Sequence, residues 1–319
     1  NAAYVAYLFA HDAGGFGATG TDNVISCGSF TGTSKITLGY EPQFVLMKQS
    51  NAAGSWYLYD TMRGIVADPT VNTEPYLLAN LSNAEATGQN YIGIDATGFT
   101  PSSAAVGPSD TFIYIAIRRG PMKVPTDATK VFNTVLQSPQ SAGTVRTVGF
   151  PADLVIGNIR AGSGHYFQDR LRGFPSSGTT QNTLSVQSQS TAAEASAYPY
   201  FYDVWNTTAK DGDLSFMSNG VGWNFGRAPG FFDEVCYTGT GSGSSRTLTH
   251  NLTVPPEIII TKARNDAASW QVYWNQQRAN LNLPYEFSSD PYTPSTATQF
   301  TVLSYSDTAH NQVAYLFAT

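Results

Sequence analysis

Val5-Ala6-Tyr7-Leu8-Phe9-Ala10, VAYLFA, recurs letter for letter as Val313-Ala314-Tyr315-Leu316-Phe317-Ala318 at the other end of a 319-residue chain. Its aliphatic and aromatic residues read as a strand, and its return points to internal repetition. Two related strands lie between the copies, IYIAIR around Ala116 and VGWNF around Gly222. Aligning Ala6, Ala116, Gly222 and Ala314 gives steps of 110, 106 and 92 residues.

The intervening bodies repeat as well. GYEPQFVLMKQSNAAGSWYLYDTMRG (39–64), GFPADLVIGNIRAGSGHYFQDRLRG (149–173) and TVPPEIIITKARNDAASWQVYWNQQRA (253–279) each run from a proline through an apolar stretch and a polar turn to an aromatic strand. Trp56, His165 and Trp270 fall at spacings of 109 and 105, and Asp60 with Arg63-Gly64 matches Asp169 with Arg172-Gly173 at 109. Ser82-Asn83-Ala84-Glu85 corresponds to Thr191-Ala192-Ala193-Glu194, and the opening strands VISCGSFTG (24–32), VFNTVLQS (131–138) and EVCYTGTG (234–241) follow the same order. There are four closing strands but only three bodies. The first strand is therefore surplus: it ends a preceding copy, or it docks on a neighbouring module or subunit as an added strand.

This organisation predicts an all-β chain of three tandem β-sandwich or jelly-roll modules with a surplus N-terminal strand. Its divisions are 1–20 (closing strand and linker), 21–120, 121–229 and 230–319. The Gly/Pro joints HDAGGFGATG (11–20), RRGPMKVPTD (118–127) and GRAPGFFD (226–233) are short and partly apolar, which favours packed modules over tethered ones. Short helical turns are expected at SNAEATG (82–88) and STAAEAS (190–196), where Ser or Thr precedes Glu by three residues as in a capping box. Cys27 and Cys236 sit on opening strands of different modules, an arrangement that predicts two reduced thiols.

Composition narrows the function. Charged residues make up 13 % of the chain, the net charge is −6, and Lys and Arg form no stripe, so a phosphate backbone finds little to bind and no nucleic-acid partner is expected. No apolar run reaches the roughly 18 to 20 residues of a membrane helix. The start NAAYVAYLFAHDAGG lacks the basic flank and cleavage site of a signal peptide, and, opening without Met, it reads as a piece of something longer.

A catalytic framework is not visible. Gly15, Gly17 and Gly20 have dinucleotide-loop spacing, but the residues that follow read as a strand, where that loop needs a helix N-terminus. His11, His165, His250 and His310 have no zinc or triad spacing, and the clusters Gly162-Ser163-Gly164 and Gly241-Ser242-Gly243 read as turns. Lys210-Asp211-Gly212-Asp213 could form a calcium corner, although such loops are ordinarily solvated turns. Asp60–Arg63 and Asp169–Arg172 are expected to be ion pairs tying a turn; in the third module Asn275, Gln276, Gln277 and Arg278 break this pattern. Trp56, His165 and Trp270 are candidate ligand-facing aromatics, with core packing as the competing role. Sequons at Asn80, Asn206 and Asn251 matter only in a secretory pathway.

DLVIGNIRAGSGHYFQDRLRG with its following Thr-Ala-Ala-Glu, GRAPGFFDEVCYTGTGSGSSRTLTHNL, and VAYLFA resemble the repeated modules of bacteriophage and prophage virion proteins, especially tail-fibre-like proteins of environmental phages. The resemblance covers about residues 4–319. It implies concanavalin-like or jelly-roll modules in a non-enzymatic structural component of tail fibre, tail tip or capsid decoration, with no cofactor and no metal. The implied partners are other virion subunits in a homo-oligomer and, as an alternative function, a host-surface glycan. The implied location is the virion, extracellular once released.

Overall fold

The computed structural model describes residues 6–17, 19–67, 75–86, 91–120, 123–136, 145–159, 165–173, 184–195, 208–210, 220–241, 245–284, 286–289, 295–303 and 310–318. Apart from one 3-10 turn at Ala128–Lys130, the described elements are strands, and the chain is all-β with antiparallel sheets. It divides into two compact units, Asn1–Thr61 with Pro69–Met122, and Met62–Asp68 with Lys123–Thr319.

The first unit carries β1 (Ile25–Thr31), β2 (Ile36–Thr37), β3 (Pro42–Gln49), β4 (Trp56–Asp60), β5 (Leu77–Leu78), β6 (Ile92–Asp95), β7 (Gly98–Pro101) and β8 (Thr111–Arg118). Its larger sheet has the order β1-β8-β3-β4-β5 and its smaller one β2-β7-β6. Alternation along β3 turns Val45 and Met47 into the core and leaves Phe44 and Leu46 half-buried, while Gln43 is exposed where the register shifts between Pro42 and Phe44. Phe99 of the smaller sheet meets Phe30 and Tyr114 of the larger edge-on, at 6.0 and 5.3 Å between ring centres, so the two sheets close on one another as a sandwich.

The second unit carries first β9 (Phe132–Leu136), β10 (Val145–Thr147), β11 (Leu154–Ile159), β12 (His165–Asp169), β13 (Val186–Gln187), β14 (Thr208–Lys210) and β15 (Gly220–Phe225). There follow β16 (Phe232–Thr238), β17 (Arg246–Thr249), β18 (Ile258–Ala263), β19 (Gln271–Trp274), β20 (Gln277–Asn280), β21 (Ser288–Ser289), β22 (Gln299–Val302) and β23 (Asn311–Phe317). Its large sheets are β9-β15-β11-β12-β13 and β16-β23-β18-β19-β20-β21, with smaller pairs β10-β14 and β17-β22.

All three large sheets thus place opening, closing, apolar, aromatic and short strands in one order. Their turns repeat as well. The backbone N–H of Trp56, His165 and Trp270 donates to a side-chain amide oxygen, of Asn80 (2.9 Å), Gln189 (3.1 Å) and Asn282 (3.0 Å). The carbonyls of the same three residues accept from Ala79, Ser188 and Leu281. Among the described residues, two further arrangements are shared by the first and third sheets. Lys48 Nζ donates to the carbonyls of Gln49 and Ala52, as Lys262 Nζ does to those of Ala263 and Asp266. Asn51 Oδ1 accepts from Thr111 N, as Asn265 Oδ1 does from Asn311 N.

Register refines the sequence alignment. With Trp56, His165 and Trp270 equivalent, the residue level with Gly222 and Ala314 is Tyr114 and not Ala116. A shift of two residues keeps every side chain on its face, so the hydrophobic pattern alone could not detect it.

Ala6–Ala10 pairs with no strand among the described residues of this chain, and Tyr7 and Leu8 are 81 % and 93 % exposed. One expectation is corrected. The described parts of 82–88 and 190–196 hold no helix, and instead Ala86 bridges Tyr76 and Ala195 bridges Ser185. The helical reading fails because Ser190 Oγ caps Ala192 N locally while the Glu194 side chain bonds arginines distant in sequence. Cys27 and Cys236 are both free thiols.

Candidate functional site

Strand β12 ends in the turn Asp169-Arg170-Leu171-Arg172-Gly173, whose glycine has φ +107, a left-handed conformation that side chains resist; Gly64, at the matching position, has φ +111. This turn delivers Arg172 into the interior of the second unit. Arg172 Nε donates to Asp169 Oδ2 at 2.5 Å, and Arg172 N to Asp169 Oδ1 at 2.9 Å, with both side chains fully buried. Arg172 Nη1 reaches Glu194 Oε2 at 2.9 Å, and Nη2 donates to the Phe167 carbonyl and to Tyr315 Oη at 2.8 and 3.0 Å.

Tyr315, from the central strand β23, donates its hydroxyl to Asp169 Oδ2 at 2.6 Å. Arg264 at the end of β18 holds Glu194 through two contacts of 3.2 Å. Two carboxylates and two guanidiniums thus neutralise each other where the two large sheets of this unit meet. Burial alone would lower the Arg172 pKa, but Asp169, Tyr315 and Glu194 outweigh it and raise the value above its ordinary range. Burial likewise pushes the Tyr315 phenol and the Cys236 thiol upward. Such a cluster fastens: each of its acids is matched by a guanidinium, Asp169 fully buried and Glu194 with a tenth of its side chain exposed.

A second fastening joins the sheets at Gly226-Arg227-Ala228-Pro229-Gly230. Arg227 N donates to Asp153 Oδ2 (2.6 Å), its Nε to Asp233 Oδ1 (2.7 Å) and its Nη2 to the Glu234 carbonyl (2.9 Å). Arg170 closes the group through Asp153 at 3.2 Å.

The candidate aromatics take different places. Trp270 is fully buried, its ring 4.9 Å from Phe167 and its Nε1 donating to the Gln187 carbonyl at 2.8 Å. That corrects its ligand-facing assignment: Phe167, Tyr315 and β13 cover the face it would have shown. His165 is exposed and lies 2.6 Å from Asn158 through Nε2, and Trp56 is half-buried. Asp60 ends β4 in the first unit, whereas Arg63 belongs to the second. Asn206, Gly162-Ser163-Gly164 and Asp211-Gly212-Asp213 lie outside the described residues. Among the described residues, no group of three or more His, Cys, Asp and Glu is arranged to hold a metal ion.

Trp274 shares the aromatic element of Trp270 and Tyr273 in the sequence without being a candidate of its own. It occupies the register position of Asp60 and Asp169, is 40 % exposed, and meets the 41 %-exposed Phe287 edge-on at 6.1 Å. Beside it Asn275 and Gln276 form a two-residue hairpin turn with φ of 47 and 58, an arrangement usually given to glycine. Alternation puts Trp270 and Trp274 on one face, so the signal existed, but only packing reveals which of them is covered.

The geometry defines an all-β protein of repeated antiparallel sheets tied by buried ion pairs. The chain belongs to a family described as a domain of unknown function (DUF7483), whose model matches residues 1–121 and 226–319. No curated protein matches it. The matched segments carry the first and third large sheets, the two that share the Lys and Asn turn contacts, and leave out the stretch holding the second.

Proposed function

We propose that this chain is a non-enzymatic structural component of a phage-type particle, working through assembly and surface adhesion. In this reading it is built of three tandem jelly-roll modules over 21–120, 121–229 and 230–319. The observation that carries the proposal is the repeated sheet with its buried charges spent on joining neighbours: Asp169, Arg172, Glu194 and Arg264 tie one sheet to the next. Like modules repeated along one chain suit a threefold or sixfold position in a particle. Mass spectrometry of purified particles from a producing culture tests it. The chain should be present at fixed stoichiometry; its confinement to the particle-free lysate would reject the reading.

One observation favours glycan adhesion as a second reading. Trp274 and Phe287 offer ring faces beside the uncharged amides of Asn275 and Gln276, and strained turns of non-glycine residues mark places where side chains at the tip are wanted. Host polysaccharide binding that disappears in Trp274→Ala, with an unchanged melting curve, supports this; binding indifferent to the substitution removes it.

A further inference from the structure

We infer that Val5–Ala10 is a donor strand: it closes the sheet of another module of the same build, entering between that module's opening and apolar strands. The inference deepens the assembly reading above and rests on it for its biological setting.

The argument starts from the twin hexamer. In the third sheet VAYLFA lies between β16 and β18, and the register puts Val313 opposite Cys236 and Lys262, Ala314 opposite Val235 and Thr261, and Leu316 opposite Asp233 and Ile259. Val313, Ala314, Tyr315 and Leu316 are all fully buried, so both faces and both edges of this strand are used. A hexamer that serves such a slot carries no polar face for water. The described part of the N-terminal copy, Ala6–Ala10, nevertheless lies outside any strand, with Tyr7 and Leu8 almost wholly exposed. The three large sheets of this chain already hold closing strands, β8, β15 and β23. The N-terminal hexamer is therefore fitted to a slot that the described sheets do not leave open.

Its side chains also describe the acceptor. Tyr7 corresponds to Tyr315, whose ring packs on Phe167 and Trp270 and whose hydroxyl bridges Asp169 and Arg172. The acceptor's slot must therefore lie beside a neighbouring sheet that offers an Asp-x-x-Arg turn and an aromatic ring, as β12 and its turn offer Asp169, Arg172 and Phe167 to β23, with a second ring such as Trp270 from the acceptor's own sheet. Main-chain ladders supply the adhesion of such strand addition, and the alternate pockets supply its selectivity.

The third sheet can stand in for the acceptor within the full-length chain. Ala314→Pro removes a ladder N–H and disfavours β23 in a central position, leaving the N-terminal hexamer as the only intact copy. Ala314→Pro alone should form species above the 34.3 kDa chain mass on light scattering and keep a cooperative melt. Adding Leu8→Asp, which would bury a carboxylate at the position of Leu316, should return the mass to one chain and abolish the second unit's part of that melt, while the first unit keeps its own. A synthetic peptide of residues 1–12 should restore the melt of the double variant, and its Tyr7→Phe form should bind about tenfold more weakly through the lost charged hydrogen bonds. Identical mass and melting of Ala314→Pro with and without Leu8→Asp would overturn the inference, whether both forms are folded or both collapsed. The result does not depend on particle membership, so absence from purified particles would reject the virion reading and leave the strand assignment standing.

Discussion

Replacing Arg172 by Met removes the centre of the buried cluster and leaves the Asp169 carboxylate with no cationic partner, held by the Tyr315 hydroxyl and the backbone N–H of residue 172. Four side-chain contacts disappear, to Asp169, Glu194, the Phe167 carbonyl and Tyr315. These do not sum, because Glu194 keeps Arg264 and Asp169 keeps Tyr315. The governing cost is a carboxylate stranded at zero exposure, and breaking such a pair from one side costs about 3–5 kcal/mol. With a urea dependence of about 2–3 kcal/mol per molar for a unit of this size, the unfolding midpoint should fall by roughly 1.5 M. Adding Asp169→Asn removes the stranded charge while still accepting the Tyr315 hydroxyl, so the double variant should recover at least about half of the loss. Urea titration followed by near-ultraviolet circular dichroism measures all three proteins. A midpoint shift below about 0.3 M for Arg172→Met, or a double variant no better than the single one, would refute the view that charge matching inside this cluster joins the two sheets.

Trp270→Ala should cost the second unit about 3–5 kcal/mol, as truncations of buried large aromatics do, while Trp274→Ala should leave the melting temperature within a degree or two; equal effects would contradict their different burial. Lys262, pushed down to about 8 chiefly by burial from an ordinary 10.5, binds its proton more weakly when folded, so its charge opposes folding below pH 8 and that opposition is lifted between about pH 8 and 10.5. Measured against Lys262→Met in urea, wild type should gain up to roughly 3 kcal/mol of relative stability over that window, and a flat difference would count against the shift. His250, lowered mainly by burial against the opposing pull of Asp233, should make the protein lose stability as pH falls below 6.5, an effect absent from His250→Gln. Maleimide labelling of the native protein should modify half-buried Cys27 before buried Cys236, with no disulfide on intact mass; the reverse order would refute the placement of these strands.

Most of the strand plan could be read in advance because the repeat supplied its own alignment. Proline, apolar run, turn and aromatic strand return three times; burial alternates from Phe44 to Met47 in β3, whereas the successive residues Leu154 and Val155 of β11 are both fully buried. Register was legible only to within two residues, since Tyr114 and Ala116 share a face. The helical turns were misjudged because Ser-x-x-Glu signals a cap only when Glu bonds its own backbone, whereas Glu194 bonds Arg172 and Arg264 at separations of 22 and 70 residues. Tyr315 was read as part of a strand and its hydroxyl was not, because a contact 146 residues from Asp169 leaves no local trace.

The position after the aromatic strand explains how one plan yields different surfaces. In β12 it holds Asp169, whose carboxylate recruits Arg172 from the turn and Tyr315 from the neighbouring sheet. In β19 the same register position holds Trp274, and the turn that follows has Asn275 and Gln276 in place of the sequence that brings an arginine inward. An acid at this position can be buried only where a guanidinium and a hydroxyl meet it; an indole needs neither and can remain at the surface. The exchange therefore converts a joining position into a presented one without touching the backbone bonds of Trp270 to Asn282 and Leu281 that hold the strand in place. Those bonds recur in all three sheets, whereas the residue at the strand's end follows what lies beside it, which is why the sheet survives divergence that its surface does not.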